Sequence, residues 1–271
     1  MSCSVLQAPL LVEAGFTHAF STRLGGVSEG PFTSLNLAHG VGDAPERVAQ
    51  NRAHFAAQLG FALTCLHQVS QVHGAGVHLV ETQTTPAQSA KVHADALLCG
   101  AAREAWLAVR TADCVPVLLA CPKTRAVAAV HAGWRGVVAG VLLQALQALR
   151  RHCGCVPAHV LAAIGPHIGV QHFEVGLDVA QQIAAATPNA AAVRRPLLRP
   201  AATADRVRVD LAVATTAQLC AAGLAPRHIA QVPGCTFAER DSFFSYRRDG
   251  GQAGRHWAVI RSVRAHAGVR S

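Results

Sequence analysis

The chain has 271 residues, 51% of them hydrophobic, enough to bury a sizeable core in one large domain or two small ones. No Pro/Ser-rich linker or charge block divides it, so residues 1–271 read as a single domain. The formal charge is +9, yet the arginines are dispersed and aromatics make up only 5%, which argues against a nucleic-acid partner and suits a small anionic substrate.

The opening segment MSCSVLQAPLLVEAG lacks the basic and long apolar regions of a secretory leader, so the expected location is cytoplasmic. Apolar stretches such as 137–146 are too short to span a bilayer, and no membrane partner is expected. Nine cysteines without framework spacing read as reduced thiols. Cys3, Cys65 and Cys220 read as buried filler or inert surface thiols, and Cys153 and Cys155 as part of a helix-end turn.

In chain order, residues 16–21 read as a short strand and 23–32 as a glycine-rich loop. The stretch 43–60 carries helix punctuation: Asp43 to cap, Pro45 in the first turn and Gly60 to close the end. Val48, Phe55 and Leu59 form its buried face, with Arg47 and Asn51 one turn apart on another. Strands are expected at 66–72, 76–80, 106–110, 115–121 and 126–131. A helix over 137–152 ends in basic residues that suit its C-terminal dipole. A strand at 159–164, a helix over 176–186 and a helix capped by Asp210 and ending near Gly223 follow. Strands near 228–233, 243–247 and 256–261 close the chain. The mix lacks a regular βαβ alternation and predicts an α+β fold.

The chemistry centres on residues 106–136. The tetrapeptide PKTR (122–125) lies between two apolar runs and reads as a hairpin turn. If Cys121 pairs with Ala126, then Cys114 lies opposite Gly133 and His131 opposite Pro116. Side chains alternate along a strand, so Cys114 and His131 project from one face with Cα atoms about 7–8 Å apart. The register is conditional: a turn one residue longer or shorter reverses the parity, and Pro116 cannot donate to a ladder. Three readings of the pair stand at this point: a buried Cys beside a partly buried His, a thiol nucleophile activated by imidazole, or two ligands of one metal. A metal needs a third ligand, and His73 in QVHGAG is attractive because the glycines after it admit close backbone approach.

The blocks STRLGGVSEGPFTSLNLAHGVGD (21–43), NRAHF (51–55), QVHGAGV (71–77) and HADALLCG (93–100) form a pattern with RTADCVPVLLA (110–120) and HAGWRG (131–136). IGPHIGVQHFEVG (164–176) and FFSYRRDGGQAGR (243–255) extend it over nearly the whole chain. This set resembles the YfiH/YlmD family, also called the laccase-domain or multicopper polyphenol oxidase family. The resemblance implies a four-layer α/β/β/α sandwich with mixed sheets, related to deamidating toxins of the cytotoxic necrotizing factor type. It also implies zinc, with copper as the other candidate metal, held by His73, Cys114 and His131 with an open position for water or substrate.

The implied activity is phosphorolysis of adenosine, inosine and methylthioadenosine, with adenosine deamination beside it. Purine nucleosides and phosphate are the expected partners, and a monomer or weak homo-oligomer the expected state. Copper-dependent phenol oxidation and peptidoglycan-precursor editing are the alternatives. A laccase needs several clustered coppers with many histidine ligands, and the sequence has no HxH pair.

Besides Cys114 and His131, Asp113 is a candidate catalytic group, a proton shuttle or else a turn-capping carboxylate. Arg23 with Gly25 and Gly26 reads as a phosphate loop or a simple tight turn. Arg135 is the stronger anion candidate because the GWRG turn leads into a helix. Arg47, Arg52, Tyr246 and Arg247 are further candidates, and Phe173 either stacks on a base or fills core.

Overall fold

The computed structural model describes residues 2–101, 104–190, 193 and 195–262. The chain opens with β1 (Val5–Leu6), α1 (Pro9–Glu13), β2 (His18–Ser21), α2 (Pro45–Leu59), β3 (Leu66–His67) and β4 (Val77–Leu79). Next come α3 (Pro86–Ser89), β5 (Ala96–Cys99), β6 (Ala105–Thr111), β7 (Val115–Ala120), β8 (Val127–Ala132), α4 (Trp134–Val138) and α5 (Val141–Cys153). The last third runs β9 (Leu161–Ile164), β10 (Glu174–Gly176), α6 (Leu177–Ala185), β11 (Leu198–Pro200) and β12 (Arg206–Val209). It ends with α7 (Leu211–Ala221), β13 (Ile229–Gln231) and β14 (His256–Ser262).

Two large sheets, ordered β1-β2-β14-β6-β3 and β13-β9-β7-β8-β5-β4, stack face to face. The period-two alternation of their strands decides what each face meets. In β6, Leu107 and Val109 pack against Leu118 and Ala120 of β7, between the sheets. Trp106 and Ala108 face the other way and pack with Phe55 of α2. Val115, Val117 and Leu119 of β7 turn outward under α5 and α7, where Leu142, Leu146, Leu149 and Leu219 cover them. The layers are therefore helix, sheet, sheet, helix, in agreement with the expected sandwich. A small third sheet, β10-β12-β11, lies beside α6.

The hairpin register follows the turn as expected. Cys121 donates its N–H to the Ala126 carbonyl, and Val115 faces Ala132 and Pro116 faces His131. Asp210 caps α7 by accepting the Val213 N–H, and Gly60 closes α2 at φ 73°.

Several expectations need correction. The helix over 137–152 is broken: α4 ends at Val138 and α5 starts after Gly140, whose φ of 78° no other residue type adopts cheaply. Asp43 does not cap α2. Its carboxylate instead accepts from Ser28 and Asn36. Asn51 is buried rather than outward, because its amide ties down the 27–36 loop through the Val27 N–H and the Ser34 and Asn36 carbonyls. The strand at 66–72 shrinks to Leu66–His67, and 243–247 forms turns rather than a strand. Of the two readings of Arg23, Gly25 and Gly26, the geometry favours the tight turn. A Cβ at Gly25 would lie 2.4 Å from the Ser2 carbonyl oxygen, and one at Gly26 2.2 Å from that of Ser34. The glycines serve backbone packing, and Arg23 donates to the Thr33 and Arg240 carbonyls.

Candidate metal centre and its cavity

Residues 112–114 carry the chain from β6 in one large sheet to β7 in the other. The crossing is sharp, and Asp113 adopts φ 97° within it. This places Cys114 at the open end of the β7–β8 hairpin, diagonal to His131 on β8. The loop after β3 brings in His73, itself in the left-handed region at φ 61°. The ligand atoms of His73, Cys114 and His131 all lie within 4.8 Å of one another. The two imidazoles meet edge to face, with centroids 4.8 Å apart.

One buried carboxylate organises this cluster. Asp95, just before β5, accepts the backbone N–H groups of Val72 (3.2 Å), His73 (2.9 Å) and Gly74 (2.7 Å). These bonds hold His73 in a conformation that costs a non-glycine residue about 1–2 kcal/mol. The same side chain lies 2.8 Å from Nδ1 of His131. A carboxylate only accepts, so Nδ1 is the donor and Nε2 is left free for another partner.

Burial works against ionising Cys114, but the His131 imidazolium and hydrogen bonds from both histidines bring its thiol down to about 6. Burial likewise disfavours charge on His131. The Cys114 thiolate and the Asp95 carboxylate overcome this and raise it to about 9. The two histidines and Asp95 thus favour the thiolate form of Cys114. Gly133 lies directly beneath it: a Cβ there would come within 3.0 Å of both Cys114 Sγ and His73 Cδ2. A thiolate and two imidazoles around a space kept clear of side chain suit zinc or another borderline-soft ion. Among the described residues, no other three or more His, Cys, Asp or Glu side chains gather in this way.

The cluster opens into a cavity of about 510 Å³. Its wall includes Arg110, Arg135, Arg247 and Arg255 but a single carboxylate, Asp113. A match to the family described as multi-copper polyphenol oxidoreductase laccase spans residues 17–262. The chain belongs to that family.

Its relatives include a purine nucleoside phosphorylase of Deinococcus radiodurans, 40% identical over 94% of this chain and 92% of that one. Another is the purine nucleoside phosphorylase YlmD of Geobacillus stearothermophilus, 34% identical over 91% of this chain and 90% of that one. The crystal structure of YlmD from Geobacillus stearothermophilus superposes with a TM-score of 0.85 at 33% identity, covering 94% of both chains. That of Bacillus licheniformis YfiH does so with a TM-score of 0.84 at 31% identity, covering 91% of this chain and 92% of that one. The YfiH/YlmD resemblance and its fold are thus shown.

Within the family's cavity, Arg135, Phe173, Tyr246 and Arg247 sit in the wall. Phe173 is 6% exposed and packs in the core beneath the cavity while also lining it. The Arg247 guanidinium lies 5.6 Å from the centre of its ring. Asp113 Oδ1 accepts from the Thr236 hydroxyl and Oδ2 from the Arg247 N–H, both at 2.7 Å. It thereby clamps the 243–247 turns to the crossing.

Arg47 and Arg52 lie outside the wall. Arg47 pairs with Glu29 at the surface. Arg52 donates to Gln68 and lies over the Trp257 ring. Their presence in a matching helix reflects packing of that helix against the loop and sheet. Sequence reasoning missed Asp95, His39, Arg110 and Arg255, although all four fall inside the matching blocks. Asking what orients His131 is the signal that would have found Asp95. Among the described residues, no helix is long and apolar enough to cross a membrane.

Proposed function

We propose that the protein is a zinc-dependent purine nucleoside phosphorylase of the cytoplasm, acting as one domain on adenosine, inosine and methylthioadenosine. The observation that carries this reading is the three-ligand cluster of His73, Cys114 and His131 at the edge of an arginine-walled cavity. Zinc, if held by these three residues, would supply Lewis acidity to the site. The protein's own groups do the rest. The arginine wall receives phosphate and neutralises negative charge on the reacting groups. Phe173 and Tyr246 offer ring faces to a purine, with Arg135 and Arg247 beside them. Asp113, the wall's carboxylate, retains lone pairs beyond those given to Thr236 and Arg247 and relays to the departing base a proton taken from the dihydrogen phosphate that attacks the sugar carbon.

Adenosine deamination uses the same site without phosphate. A multi-copper oxidase chemistry has less support, since the described residues supply one three-ligand group rather than a larger cluster. The test is a substrate panel on protein loaded with zinc alone or copper alone, with and without phosphate. Phosphate-dependent release of hypoxanthine from inosine by the zinc form is the expected result. Zinc protein that is inert on nucleosides, with copper protein that oxidises phenols rapidly, would reverse the assignment. Activity on muramyl-peptide precursors alone would point to the editing hydrolase.

A further inference from the structure

The cavity has two cationic regions of different construction. Arg135 stands at the wall over the ring of its neighbour Trp134, with the centroid 4.5 Å away. Arg110 and Arg255 are built differently. Arg110 is near the end of β6 and Arg255 just before β14, where the ladder pairs Arg110 with Trp257 and Thr111 with His256. The two arginines are therefore diagonal neighbours at one end of the central β6–β14 ladder of the five-stranded sheet. Both line the cavity, as does His39.

Neither arginine has a carboxylate within salt-bridge distance among the described residues. Burial and then the charge of Arg255 push the Arg110 pKa downward. Burial disfavours the charge on both arginines, and Asp113, the carboxylate whose charge supports that of Arg255, is not within salt-bridge distance of either, so an anion between them would offset that cost. Arg110 is also fixed in advance. Gln71 accepts from its backbone N–H (2.8 Å) and Nε (3.4 Å), and Nη2 donates to the Val69 carbonyl. Arg255 Nη1 donates to the Ala253 and Gly254 carbonyls. Among the described residues, neither Arg110 Nη1 nor Arg255 Nη2 donates to a protein acceptor, which leaves donors for an oxyanion in the cavity that both residues line. Gln71 begins the same QVHG loop that carries His73, so the segment that sets the metal ligand also sets Arg110.

We propose that Arg110 and Arg255, with His39 beside them, form a tetrahedral-oxyanion subsite whose ligand is inorganic phosphate. The inference deepens the phosphorylase reading and rests on it for the identity of the ligand. Its test therefore separates binding from turnover.

The zinc-loaded full chain is melted with increasing inorganic phosphate, and in parallel with adenosine 5′-monophosphate. The wild type should rise in Tm with inorganic phosphate. Arg110→Gln and Arg255→Gln should each lose that rise; any fall in Tm without phosphate reports the lost bonds to Val69, Ala253 and Gly254, so the phosphate effect is read as the increment over each variant's own phosphate-free Tm. Where turnover is measurable, each variant should raise the phosphate KM by about tenfold or more, the value of one charge-assisted contact, and leave the nucleoside KM nearly unchanged. Arg255→Lys, which keeps the charge and the fold, should retain part of the phosphate effect. Arg47→Gln, outside the cavity, should retain all of it.

A phosphate-dependent Tm that both glutamine variants preserve would overturn the subsite, as would stabilisation by the nucleotide but not by inorganic phosphate. If no nucleoside is phosphorolysed but the Tm pattern holds, the phosphorylase reading fails and the oxyanion subsite stands.

Discussion

His131 and Asp95 are joined twice: the His131 N–H donates to the Asp95 carbonyl at 2.7 Å, and Nδ1 donates to Asp95 Oδ1 at 2.8 Å. The two hydrogen bonds lock both the strand register and the ring. Because the same carboxylate also gathers the N–H groups of residues 72–74, Asp95 holds two of the three candidate ligands at once. Asp95→Asn keeps the size but removes the charge and turns one acceptor into a donor facing N–H groups. Zinc affinity, measured against a competing chelator, should fall about 10–100-fold, the usual consequence of losing such an outer partner. Cobalt-substituted protein should show an altered visible spectrum in the variant. Unchanged affinity and spectrum would mean that the ligands are held by packing alone.

Gly133 has φ −68°, which alanine adopts without strain, so Gly133→Ala is a purely steric probe. Its methyl group would lie 3.0 Å from both Cys114 Sγ and His73 Cδ2. Metal Kd should rise at least about tenfold, near 1.4 kcal/mol, while the metal-free protein keeps its melting temperature within a few degrees. A variant that binds zinc like the wild type would show that the space above Gly133 is not the metal position.

Cys114→Ser replaces the thiolate by a hydroxyl that stays protonated at neutral pH, so zinc content and nucleoside turnover should be lost together. Cys99 and Cys121 are buried away from the cluster, in the inter-sheet core and under α5 respectively. Their serine variants should keep one zinc per chain and lose at most about 1–2 kcal/mol of stability, since a more polar hydroxyl replaces a buried thiol but finds neighbours such as the Gly100 carbonyl and Thr124 to bond. Zinc analysis by mass spectrometry and thermal denaturation separate the two effects. Retention of zinc by Cys114→Ser at wild-type affinity would remove Cys114 from the ligand set.

The hairpin was legible because a four-residue turn between two apolar runs leaves few registers, and the observed pairing of Val115 with Ala132 follows from it. Cys114 and His131 were then a matter of parity. Other parts were hidden for physical reasons. The 243–247 segment looks strand-like, yet its N–H groups serve no ladder: Phe243 donates to the Glu239 carbonyl, Phe244 to His256 Nε2 and Arg247 to Asp113. The run after β3 is apolar enough for a strand, but Ser70, Val72, His73 and Gly74 direct their N–H groups to Val92 and Asp95. The small sheet pairs Arg206 and Arg208 with Glu174 across its strands, so it carries little apolar alternation to detect. Arg110 and Arg255 are far apart in sequence and meet only through the β6–β14 ladder.

His256 provides the pH-dependent test of the fold around the cavity. It is 5% exposed, and its Nε2 accepts the Phe244 N–H at 2.8 Å. Burial lowers its pKa to about 4, despite the backbone bonds, with Arg23 and Arg255 adding repulsion. The folded protein therefore keeps His256 neutral at pH values where the unfolded chain, with a pKa near 6.5, takes a proton. Proton uptake by the unfolded state alone draws the equilibrium toward unfolding. Stability from this residue is full above about pH 6.5, declines as pH falls toward about 4, and changes no further below that. The upper bound is roughly 3 kcal/mol. His18 and His167, also lowered by burial, act in the same direction, whereas His131, raised to about 9, does not. His256→Asn retains an acceptor for Phe244 but does not titrate. Urea denaturation from pH 7.5 to 4.0 should show a smaller loss of stability in the variant than in the wild type. Equal slopes for the two proteins would assign the acid sensitivity to the other histidines and leave His256 a packing residue only.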